Sequence, residues 1–121
     1  MDGSYFNIFK YTLPIFPNYI IRIITGAILQ EVDSEPHFKS NVITIIQTIN
    51  QQLVGDNKPF RYYIPQKDFK KIVGKLLDTY PLIKTRYQRL FQNDNIIVRL
   101  FNIIQIFYLF FKITNIELHG K

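Results

Sequence analysis

The chain has 121 residues, 47% hydrophobic and 20% charged, a composition that fits one folded domain and excludes wholesale disorder. It contains no cysteine, so disulfides, thiol nucleophiles, zinc ribbons and iron–sulfur ligation are excluded together. The net charge of +6 is local: residues 58–89 carry nine basic side chains against Asp68 and Asp78, and the remainder is slightly acidic.

Ile, Asn, Lys, Phe and Tyr together dominate the chain while alanine occurs once, the bias expected of AT-rich codons. Isoleucine content is therefore weak evidence for strands, and hydrophobic periodicity decides the assignment. Residues 1–18 read as an extended arm that packs. Tyr5, Phe6, Ile8, Phe9, Tyr11, Leu13 and Phe16 are too apolar to leave in water, and Pro14 and Pro17 forbid a helix through them. A first helix is expected from Asn18 to about Glu31, apolar nearly all round, with Gly26 as its weak point. An acidic connection over residues 31–38 is broken by Pro36. Ser40 should then cap a second helix, whose Val42, Ile45, Ile46, Ile49 and Leu53 share one face before the turn residues from Gly55 to Pro59.

The third helix is the clearest. Between Gln66 and Thr79, Phe69, Ile72, Val73, Leu76 and Leu77 recur at helical spacing, followed by Tyr80. Lys67, Lys70, Lys71 and Lys75 fall mainly opposite, and Asp68 lies where the helix dipole favours an acid. Tyr80-Pro81 should close it. A fourth helix is expected to begin at residues 82–85 and to carry Tyr87, Leu90 and Phe91 as far as Asn93-Asp94-Asn95. Residues 96–116 are apolar enough either to pack as a final helix, with Leu100, Ile103, Ile104, Phe107 and Phe111 inward, or to span a bilayer. Arg99, Asn102 and Gln105 weigh against spanning.

Tyr11-Thr12-Leu13-Pro14-Ile15-Phe16-Pro17, followed by a helix and then by the segment from Tyr63 to Lys84, resembles a helical module of uncharacterised animal proteins. These include sterile-alpha-motif-domain-containing and transposon-related proteins. Tyr63, Leu76, Tyr80, Pro81 and Lys84 match its pattern directly; Asp68, Phe69 and Ile83 are conservative replacements. Ile64-Pro65 stands where the module has Pro-Thr, which removes a capping threonine from the third helix. The resemblance covers residues 11–84 and implies a helical interaction module. Residues 93–121 fall outside it, and are either a packed hydrophobic helix or a gene-model tail never selected to fold.

No phosphate-cradling glycine loop, nucleophile elbow or paired-histidine zinc motif occurs. Ser4, Ser34 and Ser40 have no histidine at a suggestive spacing, and His37 and His119 lack companions at ligand spacing. Glu31, Asp33 and Glu35 read more simply as a solvated linker than as an acid/base pair. The expectation is thus an all-α domain of four to five helices behind an aromatic-proline arm, divided as a module over 1–92 and a hydrophobic helix over 93–121. It should be non-catalytic, without cofactor, metal or small-molecule substrate. Arg61, Lys67, Lys70, Lys71, Lys75, Lys84, Arg86 and Arg89 are either an ordinary solvated face or a binding face for nucleic acid or a protein, and for nucleic acid Tyr62, Tyr63 or Tyr87 would be available to stack on bases. Tyr11 and Phe16 are candidate anchors for a protein partner. No signal segment opens the chain and no N-glycosylation acceptor occurs, so the expected address is intracellular, the nucleus included, with a membrane as the alternative.

Overall fold

The computed structural model describes residues 6–26, 35–57, 62–90 and 95–119, with the side chains of residues 35 and 115–119 excepted. Their regular structure is helical: a 3-10 turn at Ile8–Lys10, then α1 (Asn18–Ile24), α2 (Glu35–Asp56), α3 (Gln66–Thr79), α4 (Pro81–Leu90) and α5 (Ile96–His119). The protein is a small all-α domain.

Prolines set most of the helix starts. Pro17 precedes α1, Pro36 is the second residue of α2, Pro65 precedes α3 and Pro81 is the first residue of α4. A proline in the first turn lacks only a donor that the helix would not have used, and its fixed φ suits helix entry. This corrects the expected start of α2: Pro36 opens the helix instead of breaking the chain before it, and Ser40 lies inside, its carbonyl accepting from the Thr44 hydroxyl at 3.2 Å. It also starts α4 at Pro81, straight after Tyr80. Helix α1 is shorter than expected. It ends at Ile24, and Gly26 takes φ +83°, a left-handed conformation that closes the helix and costs glycine little. A Cβ at Gly26 would also meet Leu82 Cδ1 at 3.0 Å.

Helix α3 occupies the centre of the packing. It lies against α5 on one side, touches α4 on another, and receives the 3-10 turn of the arm. Its stripe of Phe69, Ile72, Val73, Leu76 and Leu77 is buried throughout. Helix α5 runs along both α2 and α3 and buries Ile96, Leu100, Ile104 and Tyr108 in the same core as the arm and the other helices. A single core therefore crosses the expected boundary near residue 92. Its inward stripe differs from expectation: Ile103, Phe107 and Phe111 are only half-buried, and Ile96 and Tyr108 take the interior positions.

Two asparagines tie α5 down. Asn50, fully buried on α2, donates through Nδ2 to Ile46 O (3.1 Å) and across the interface to Ile104 O (3.3 Å), while its Oδ1 is buried without a protein partner. Asn57 donates to the Tyr108 hydroxyl at 2.9 Å and to Tyr62 O at 3.0 Å, and its Oδ1 accepts from Tyr62 N. Asn95 caps α5 by accepting from the backbone of Ile97 and Val98. Leu100→Ala will lower stability by about 2–5 kcal/mol in urea titration, as expected of a truncated core leucine. Leu109→Ala, on the exposed side of the same helix, will change it by about 0.5 kcal/mol or less.

Candidate functional site

The basic residues singled out from the sequence separate into three groups. Lys67, Lys70 and Lys71 stand exposed on the outer side of α3. Lys84 and Arg89 are exposed on α4. Lys75 and Arg86 are turned toward the protein, and Arg61 lies outside the described residues.

Arg86 must be withdrawn from the surface set. It is 5% exposed and donates from Nη1 to Ile23 O at 2.7 Å, close to where α1 ends and its last carbonyls lack helical donors. Burial pulls the guanidinium below its ordinary pKa, yet arginine keeps its charge, so the group acts as a charged C-terminal clamp on α1. Lys75 is half-buried. Its Nζ donates to Tyr11 O at 2.7 Å and lies 5.9 Å from the Tyr11 ring centroid, holding the arm against α3.

The arm residues proposed as partner anchors are also corrected. Phe16 is 2% and Tyr11 7% exposed; both belong to the core. Phe16 meets Tyr80 edge-on at 6.0 Å, and the Tyr11 hydroxyl donates to Gln52 Oε1 at 2.7 Å while Gln52 Nε2 donates to Thr12 O at 2.8 Å. In an extended segment neighbouring side chains alternate sides, so the residue beside Phe16 must point away, and Ile15 is 95% exposed. Phe9 is exposed likewise. Of the tyrosines expected to stack on bases, Tyr63 is 76% exposed, Tyr62 is half-buried, and Tyr87 is buried against Phe38.

What remains is a compact cationic face on α3. Lys71 Nζ lies 5.5 Å from the centroid of the exposed Phe9 ring and Lys70 Nζ 5.1 Å from that of Phe101 on α5. Each ring face attracts its ammonium and restrains it without neutralising it. Because the 3-10 turn packs on α3, it brings exposed Lys10 to the same neighbourhood, a neighbour that sequence spacing could not show. Asp68, the acid nearest these lysines, is 5% exposed and faces the interior. From Gln66 to Gly74, α3 therefore offers solvent three ammonium groups and no carboxylate.

Among the described residues no group of three His, Cys, Asp or Glu side chains comes together to hold a metal ion. Glu31, Asp33 and the side chains of Glu35 and His119 lie outside them. An apolar groove of about 220 Å³ between α2, α4 and α5, lined by Phe38, Val42, Tyr87, Leu100 and Ile103 among others, is smaller than the roughly 300–1,000 Å³ that holds a drug-sized molecule. No known protein family, no curated protein and no solved structure matches this chain.

Arg86→Ala is expected to lower stability by about 1.5–3 kcal/mol, the range for losing a charge-assisted hydrogen bond, and to leave polyanion affinity unchanged. A second expectation concerns alkaline pH. The Tyr11 phenol lies well above its ordinary value of 10.0, first through burial and then through the charge of Asp56. Folded protein thus keeps a proton that the unfolded chain releases, so the contribution is intact below pH 10 and declines as pH rises above it. Burial raises Tyr108 in the same direction, partly countered by its hydrogen bond with Asn57. Stability measured by urea titration above pH 10 should fall less steeply in Tyr11→Phe than in the wild type, by at most about 1.4 kcal/mol per pH unit.

Proposed function

We propose that the chain is a non-catalytic binding module that takes a phosphate-bearing polyanion on the outer face of α3. The inward turn of Asp68 carries this reading. An ordinary solvated helix mixes both signs along its outer face, whereas the first turns of this one present Lys67, Lys70 and Lys71 with no acid between them, and its exposed acid, Asp78, comes only in the last turn. Ammonium groups contact phosphate as point charges and read little else, so recognition would be by charge density and not by base identity.

Two further features support the reading. Phe9 and Tyr63 are exposed aromatic rings beside and just before the lysine helix, the combination used by sequence-tolerant nucleic-acid surfaces. The likeness of residues 11–84 to a helical interaction module of sterile-alpha-motif-domain-containing and transposon-related proteins points to the same class of role, and it stands as part of this proposal.

The test is retention of the intact chain on heparin and its affinity for a mixed-sequence oligonucleotide over a salt series. Log affinity should fall linearly with log salt at about 0.9 per phosphate neutralised, and Lys70→Glu/Lys71→Glu should make the slope shallower by about two. A double variant that elutes with the wild type would remove the α3 face from the proposal.

A further inference from the structure

The outward side of α5 changes character along its length. Its first half shows solvent Val98, Arg99 and Asn102; its second half shows Ile106, Leu109, Phe110 and Ile113, each between 56% and 63% exposed. Those four follow the i, i+3, i+4, i+7 spacing of one helix face. At about 100° per residue this face lies opposite Leu100, Ile104 and Tyr108, which the core uses. Helix α5 thus has two apolar faces, and the fold covers one.

Lysines lie at two points along the row of side chains that borders the second face. Phe101, Gln105 and Leu109 form one i, i+4 row along α5. Lys70 sits over the first of these, and Lys112 lies at the edge of the stripe near the last. We infer that α5 lies flat on an anionic lipid surface, with Ile106, Leu109, Phe110 and Ile113 at the acyl boundary and the α3 lysines against headgroup phosphates. The inference rests on the polyanion reading of α3 and names the polyanion. An apolar helical stripe flanked by lysines is the profile of an interfacial helix, which enters the bilayer by about 5–10 Å.

Other occupants fit less well. Residues 96–114 are long and apolar enough to cross a membrane. Crossing would withdraw Leu100, Ile104 and Tyr108 from the core and strip Asn50 and Asn57 of the hydrogen bonds they make to α5. A second copy would cover four side chains, short of the ~800 Å² that each partner of a stable pair contributes. It would also bring together two stripes flanked by lysines on chains of charge +6.

The test is co-sedimentation of the full chain with vesicles of phosphatidylcholine, with and without phosphatidylserine. The wild type is expected to pellet with the phosphatidylserine vesicles, to be released by carbonate, and to lose affinity roughly tenfold or more in Leu109→Ser/Phe110→Ser and in Lys70→Glu/Lys71→Glu. The chain has no tryptophan, so Leu109→Trp supplies a single reporter whose emission should shift to the blue on those vesicles. Equal pelleting of Leu109→Ser/Phe110→Ser, resistance to carbonate, or a wild-type dimer that depends on Leu109 and binds no vesicles would each overturn the inference. Heparin and oligonucleotide binding without vesicle binding would overturn it and leave the polyanion reading standing; loss of heparin retention would remove that reading as well.

Discussion

The architecture depends on α3 being gripped from several sides at once. A 14-residue helix with one apolar stripe ordinarily rests on a single neighbour, but here α5, α4 and the arm all close on it. That grip explains why its first turns show solvent a single sign of charge. Asp68 is drawn inside, Lys75 is diverted to the Tyr11 carbonyl, and the side chains left outside between Gln66 and Gly74 are Gln66 and three lysines. The surface charge is thus a by-product of how the core is closed.

The interior is not purely apolar, and its polar members do the joining. Asn50 and Asn57 reach from α2 and its end to α5, Arg86 reaches from α4 to the end of α1, and Gln52 ties the arm to α2. Each connects elements distant in sequence, and a buried donor stripped of its acceptor is costly, so these contacts specify which helix lies beside which.

Helix α3 was legible from the sequence to the residue, because prolines bracket it and a clean 3.6-residue period runs between them. Arg86 was misread although a signal was present. Ile83, Arg86, Tyr87 and Leu90 sit at i, i+3, i+4, i+7, so the arginine lies on the inward stripe of α4; counting it by charge alone concealed this. Asp68 and Asn50 likewise precede and follow core isoleucines by four residues, at Ile72 and Ile46. The exposure of Ile15 and the burial of Phe16 follow from alternation in the extended arm. Helix α5 was the opposite case. With apolar residues on both faces it has no period that selects one, and only its position between α2 and α3 decides which stripe goes inward.

The prolines at the starts of α1 to α4 have a consequence for how such a chain withstands mutational drift. Isoleucine with phenylalanine, and asparagine with lysine, are exchanged by single changes among AT-rich triplets, and those two exchanges keep an apolar position apolar and a polar position polar. Proline is read from GC-rich triplets and stands apart from that traffic. A fold whose boundaries are written in proline can let its interior vocabulary wander toward a few residue types while the lengths of its segments, and hence the order of their stacking, stay where they are.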